Sequence, residues 1–390
     1  MSITIEGPCV YTRENILHGA RVVIKNGVIH AIDKKNETCD NKIFTFPRNY
    51  HVLPGFIDMH VHGILGCDVM DGKTTSLETL CEQLPHEGTT GFLATTMTQS
   101  SACIEKALST VAEFKNHRGA ELLGVHLEGP FISTHCAGAQ SAQYARAPDV
   151  TLFSHWQHLS NNTIKLITLA PELPGAMDFI RDIAATGVIV SIGHTDADME
   201  TTCEAINAGC CQGTHIFNAM RGLHHRAPGT VTPLLLHKNV SVEIIPDNIH
   251  VHPMIVDLIY RLKGSDGIML VTDAMRAKCL NDGDYDLGGQ TVTVQQGCAR
   301  LPGGRLAGSV LRLPTAIQHM LHNTGCGLHD IMRMTSENPA KQLNIFHKKG
   351  SIAVGKDADL VMLDDKLRVV LTLCRGEISF AASSLHEAIA

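Results

Sequence analysis

The chain has 390 residues, 44% of them hydrophobic and 18% charged, with a formal net charge of -7. That length allows a large core with a closed site inside it. The acidic balance excludes the clustered Lys/Arg excess of a nucleic-acid binder, and no apolar stretch reaches the ~18 residues that a membrane-spanning helix needs.

The first ~50 residues read as short strands and turns. Residues 2–5 and 20–24 alternate, and Lys25-Asn26-Gly27 separates the second stretch from 28–32, a hairpin signal. The N-terminus has no basic region followed by an apolar run. Thirteen cysteines are scattered without a C-x-x-C pair, and the adjacent Cys210 and Cys211 suit a disulfide poorly. Reduced thiols and a cytoplasmic location are the expectation.

From residue 52 to 340 the pattern changes. Eight apolar runs recur at 52–60, 91–96, 122–126, 165–169, 188–192, 213–217, 240–245 and 268–272. Helical patterns lie between them at 75–87, 102–115, 176–186, 197–208 and 253–262. Continuous apolar runs mark strands buried on both faces, and parallel strands need helical crossovers. The region therefore predicts a (β/α)8 TIM-like barrel. An open doubly wound sheet is the alternative, but no G-x-G-x-x-G follows an early strand. The chain ends in more short strands, at 350–355, 359–363 and 369–372. Residues 1–51 and 341–390 either build one small β domain or stand as two appendages; periodicity does not decide between them.

Catalytic groups of a barrel sit at the C-terminal ends of its strands. His60 closes the first run and His62 follows it; two residues apart, they point the same way. Glu128 follows the third run, before Gly129-Pro130; His194 follows the fifth, His215 lies in the sixth and Asp273 follows the eighth. Taken singly, each has a bland reading as a structural histidine or a turn cap. Converging on one mouth, they need a cation or a hydrogen-bond network to be stable. The N/O donor set suits zinc, iron, manganese or cobalt better than copper or calcium.

The run from Pro54 to Gly63, PGFIDMHVHG, resembles the opening of the amidohydrolase superfamily. Leu127-Glu128-Gly129-Pro130, Gly193-His194-Thr195, Asn218-Ala219-Met220, Arg226-Ala227-Pro228-Gly229, Asp247-Asn248-Ile249-His250, Thr272-Asp273-Ala274 and Leu306-Ala307-Gly308-Ser309 look like the N-acetylglucosamine-6-phosphate deacetylase family. The terminal Gly355-Lys356-Asp357-Ala358-Asp359-Leu360 fits that superfamily's returning β domain, a small β-sandwich formed from both termini, so the resemblance spans the whole chain.

The resemblance implies one or two divalent ions per subunit, zinc foremost, with iron, manganese, cobalt or nickel as alternatives. Glu128, His194 and His215 would hold the main ion, and His60 and His62 a second; relatives without that pair run on one. Asp273 would take a proton from the attacking water and return it to the leaving amine, the use expected of one positioned acid/base. Arg226 and His250 would contact the sugar phosphate. Ala139, Gln140, Asn218, Ala219, Asp247, Leu306, Ala307 and Gly308 complete the implied substrate site. Some of these groups come from a neighbouring subunit in the family, so a homodimer is expected.

One departure stands out. Relatives commonly carry a His where this chain has Gln140, after Gly138-Ala139. Glutamine donates a hydrogen bond but carries no charge. Leu223-His224-His225-Arg226 also resembles an N-acetylgalactosamine-6-phosphate branch, whose sugar differs only at C4. Rival readings are a cyclic-amide hydrolase or deaminase, many of which use a carboxylated Lys where Glu128 stands, and a metal-binding scaffold without turnover, against which the intact Asp273 argues.

Overall fold

The computed structural model describes residues 2–32, 42–115 and 118–385. Eight parallel strands form the central sheet in chain order: Phe56–Val61, Thr89–Thr95, Glu121–Glu128, Ile164–Leu169, Ile189–Ile192, Gln212–Gly213, Ser241–Ile244 and Ile268–Leu270. The first and last meet through a parallel bridge between Val61 and Ala274, and Asp273 N donates to His60 O at 2.8 Å. The sheet thus closes into a barrel, with His60 and Asp273 side by side at the seam.

The apolar run at 52–60 is two strands. His51–Pro54 belongs to an outer sheet and Phe56–Val61 to the barrel. Gly55 makes the switch because a Cβ there would lie 2.1 Å from Thr90 Oγ1. The sixth strand is shorter than the 213–217 run. Thr214 bonds sideways to Thr168 and Ser191 hydroxyls at 2.8 and 2.6 Å, and His215 and Phe217 take positive φ. The chain therefore leaves the ladder to aim His215 inward.

The five helical patterns appear as Thr74–Gln83, Ser101–Glu113, Ala176–Ala185, Met199–Ala208 and Pro253–Lys263. The fourth starts two residues later than expected, because Asp198 is its N-cap and accepts from Thr201 N at 2.9 Å. Helices at Val150–Leu159 and Leu313–Thr324 were not legible from the pattern.

Two outer sheets share one core that includes Ile5, Val22, Val52, Leu360 and Leu371. One of them has six strands and joins His51–Pro54 and Cys9–Tyr11 to Leu360–Leu363, Val369–Cys374 and Glu377–Ala381. The two ends of the chain thus meet in one sheet. Between the last barrel strand and Leu313–Thr324 lies a three-stranded antiparallel insertion, Gly283–Leu287, Gln290–Gln295 and Cys298–Arg300. It packs Leu287 and Val292 on Met97 and Met275 beside the barrel mouth. Among the described residues, no helix is long and apolar enough to cross a membrane.

Candidate metal centre and active site

Glu128 lies at the middle of the site. Its Oε1 is 3.1 Å from His194 Nε2, 3.1 Å from His215 Nε2 and 3.4 Å from His60 Nε2; its Oε2 is 3.3 Å from His62 Nε2. Asp273 Oδ1 stands 3.2 Å from His62 Nε2 and 3.5 Å from His60 Nε2. All six groups are buried. The barrel thus brings together every strand-end residue that the sequence singled out.

The outer ring nitrogens of three of the four histidines fix their tautomers. His60 Nδ1 faces Glu243 Oε2 at 3.0 Å, His62 Nδ1 faces Thr95 O at 3.2 Å and His194 Nδ1 faces Cys136 O at 3.1 Å. Carbonyls and carboxylates only accept, so each Nδ1 donates. In the neutral ring, Nε2 then turns a lone pair toward Glu128 or Asp273. Lone pairs pressed on carboxylates at such distances, out of water, are stable only with protons or a cation between them.

The titration shifts express the same frustration. Burial works against a charged His60, but the carboxylates of Glu128, Asp273 and Glu243 outweigh it and raise its pKa well above the ordinary value. His62 is likewise pushed up to about 9, against its burial, by Asp273 and Glu128. Burial would raise Asp273, yet His60 and His62 pull it down to about 2. Glu128 is held well below the carboxylate range despite its burial, by His60, His194 and His215. The residues therefore fit a divalent ion, which satisfies both carboxylates and the Nε2 lone pairs together. Two sets of donor atoms suit one, Glu128/His194/His215 and His60/His62/Asp273. In a third grouping, His60/His126/Glu243, the His60 Nδ1 proton already serves Glu243.

Backbone strain gathers here. His194, His215, Ala219 and Asp273 have φ of 49°, 29°, 48° and 47°. Non-glycine residues adopt that region mainly where the surroundings enforce it, often at functional sites.

A cavity of about 400 Å³ opens from the cluster. Ala139, Gln140, Asn218, Ala219, His250, Leu306 and Gly308 line it, together with Glu128, His194, His215 and Asp273. Three expected substrate residues are placed elsewhere. Asp247 lies behind His250, accepting from its Nδ1 at 2.6 Å. Ala307 is buried in the core of the insertion. Arg226 sits on an exposed loop with its guanidinium against His225, outside its own chain's cavity.

Gln140 does more than line the wall. Thr98 N donates to its Oε1 at 2.6 Å, which turns its amide NH2 toward the site, and Nε2 donates to Glu128 Oε2 at 2.6 Å. Sequence reasoning missed Glu243, buried behind His60, and Arg305, which lines the cavity from the insertion. A carboxylate inside the apolar run 240–245 was the available signal for the first. The second follows a Gly-Gly turn and had none.

The amidohydrolase family model matches residues 51–381. An N-acetylglucosamine-6-phosphate deacetylase from Bacillus subtilis is 43% identical over 392 residues, covering 99% of each chain. An N-acetylgalactosamine-6-phosphate deacetylase from Escherichia coli O157:H7 is 34% identical, covering 94% of this chain and 97% of the relative. A solved structure of a mutant N-acetyl-D-glucosamine-6-phosphate deacetylase from Mycobacterium smegmatis, in complex with N-acetyl-D-glucosamine-6-phosphate, superposes with a TM-score of 0.90 at 29% identity, covering 98% of this chain and 99% of that one. The chain belongs to the amidohydrolase family and, within it, to the N-acetylglucosamine-6-phosphate deacetylase family.

Proposed function

We propose that this protein hydrolyses the acetamide of N-acetylglucosamine 6-phosphate to glucosamine 6-phosphate and acetate, in amino-sugar breakdown. The observation that carries the reading is the ring of four imidazole Nε2 atoms crowded on two buried carboxylates at the floor of a sugar-sized cavity. Glu128, His194 and His215 would hold one divalent ion, and His60, His62 and Asp273 a second, zinc foremost by donor type. When bound, such an ion lowers the pKa of its water to roughly 7 and polarises the acetyl carbonyl.

The protein's own groups then manage the protons. Asp273 accepts one from the attacking water and delivers it to the amine nitrogen as the C–N bond breaks. Its depressed pKa belongs to the ion-free state, in which His60 and His62 are its cationic neighbours. Gln140, its amide oriented by Thr98, fixes Glu128 against rotation.

The phosphate would be met by His250, which Asp247 orients, and by Arg226 from a second copy of the chain. The helix Pro253–Lys263 leaves Met254, Leu258 and Leu262 exposed at 76%, 38% and 46%, one turn apart, with Ile249 at 41% just before it. An apolar stripe of this kind supports a homodimer. The glucosamine epimer is favoured by the 43% relative over the 34% one. The twelve described cysteines are all free, which supports a reducing cytoplasmic setting.

The test measures amine release from the two epimeric 6-phosphates and from unphosphorylated N-acetylglucosamine, with metal analysis of the same sample. The glucosamine 6-phosphate derivative should give the highest kcat/KM. No release from any of the three by metal-replete protein would overturn the reading.

A further inference from the structure

We infer that Glu243 is a positioning residue that strengthens the hold of His60 and His62 on an ion. The inference rests on the metal-dependent reading above and concerns a residue outside both proposed ligand sets.

Glu243 lies within the seventh barrel strand and is fully buried. A carboxylate there is costly unless it is hydrogen-bonded or paired. Its Oε1 accepts from Gln212 Nε2 at 2.6 Å. Its Oε2 accepts from His60 Nδ1 at 3.0 Å and from the backbone N of His215 at 3.2 Å. One oxygen thus orients the His60 ring and secures the strained turn that presents His215.

The backing is unequal among the imidazoles. His62 and His194 donate to neutral carbonyls, and His215 Nδ1 has no hydrogen-bond partner. Only His60, of these four, has an anion behind it. A carboxylate behind a histidine fixes its tautomer and raises the basicity of the facing nitrogen. His60 Nε2, aimed at Glu128 and Asp273, is itself without a hydrogen bond. Glu243 therefore backs the donor set that includes His60 through an imidazole, and meets the Glu128/His194/His215 set through the backbone N of His215 alone.

The test is a zinc titration of metal-depleted protein against a chromophoric chelator, which reads binding and not turnover. Wild type should take two ions. Glu243→Gln is nearly isosteric: its amide oxygen can accept from His60 and His215, while Gln212, whose Oε1 is unpartnered, flips to accept from the new NH2. The bonds survive and the charge is lost. One binding step should weaken by roughly 10–100-fold, the usual cost of losing such a partner, while the other stays within about threefold. Gln212→Met keeps the charge and removes the neighbouring amide; it should still take two ions, and it carries the test if Glu243→Gln does not fold. The inference is overturned if Glu243→Gln binds both ions as wild type does, if both steps weaken alike, or if Gln212→Met loses an ion. A wild type that takes only one ion also overturns it, yet leaves the hydrolase reading standing. A wild type that takes none sinks that reading itself.

Discussion

Asp273 reaches the site from a left-handed backbone position, φ 47°, that its neighbours enforce. Thr272 donates from its hydroxyl to Asp58 Oδ2 at 2.6 Å, and Ser309 N donates to Asp273 O at 2.7 Å. The carboxylate is thus held before any substrate arrives. Asp273→Asn keeps the shape and removes the proposed base, so kcat should fall by roughly 10²–10⁴-fold with KM little changed. Turnover within a few-fold of wild type, in steady-state assays, would remove the assigned role. Gln140 is the second residue with a sharp consequence. Gln140→Leu strips the hydrogen bond from Glu128 and leaves Thr98 N buried without its acceptor, at a cost of about 1–3 kcal/mol. Denaturant unfolding should register that loss, and kcat should drop more than KM rises; an unchanged unfolding midpoint would contradict the geometry. The six central residues were legible because barrel chemistry gathers at strand ends, where His and carboxylates interrupt apolar runs. Glu243 was not, because reading 240–245 as an apolar strand hid the one residue whose burial most needs explaining.

The elements that hold these residues differ in how they announce themselves. The barrel strands are buried on both faces, so their apolar runs located all eight, though not their limits. The sixth ends early because hydroxyl bonds and positive φ override its pattern. The insertion stayed hidden for the opposite reason: Gly283–Leu287 is mostly exposed and polar, and Gln290–Gln295 buries only alternate residues. Its tie to the site is specific. Gln290 Nε2 donates to Ala139 O at 2.6 Å, and Gln99 Nε2 donates to Gly288 O at 3.1 Å. Gln290→Ala should therefore loosen the 138–140 loop and raise KM several-fold with a stability loss of only about 1 kcal/mol. A KM equal to wild type would show that the insertion does not steady that wall. Lys278 presents the reverse case, a stability effect away from substrate. It is fully buried and paired with Glu87, and its charge also lowers the pKa of Asp58, which burial raises to about 6. Lys278→Met removes the buried cation and leaves Glu87 to Arg312 at 3.7 Å and Asp58 to its hydrogen bond from Thr272, so the loss should be about 3 kcal/mol. Urea unfolding checks this, and adding Glu87→Gln in the same chain should recover part of the loss.

For the molecule as a whole, the site is a store of unfavourable electrostatics that folding tolerates because protons or a cation neutralise it. The two differ in how they respond to pH. The folded pKa of His62 is raised to about 9, above its unfolded value near 6.5. A raised pKa contributes stability that is fully present below pH 6.5 and lost as pH climbs through 9. Asp273 acts at the other end: depressed to about 2, it contributes stability above its unfolded value near 4 and loses it as pH falls through 2. Metal-free protein should therefore weaken steadily between pH 6.5 and 9, as the imidazoles that shield Glu128 and Asp273 lose their protons. A bound ion supplies that shielding without a proton and adds stability by mass action, about 4 kcal/mol at a thousandfold excess over Kd. Its ligands must be deprotonated, so the same rise in pH strengthens its binding. The melting-temperature gap between zinc-loaded and chelator-treated protein should thus widen from pH 6.5 to 9, as thermal unfolding in matched buffers would measure. A gap that stays flat or narrows over that range would mean that the imidazoles and carboxylates form a self-sufficient hydrogen-bond network, and that the cavity floor was never built around a cation.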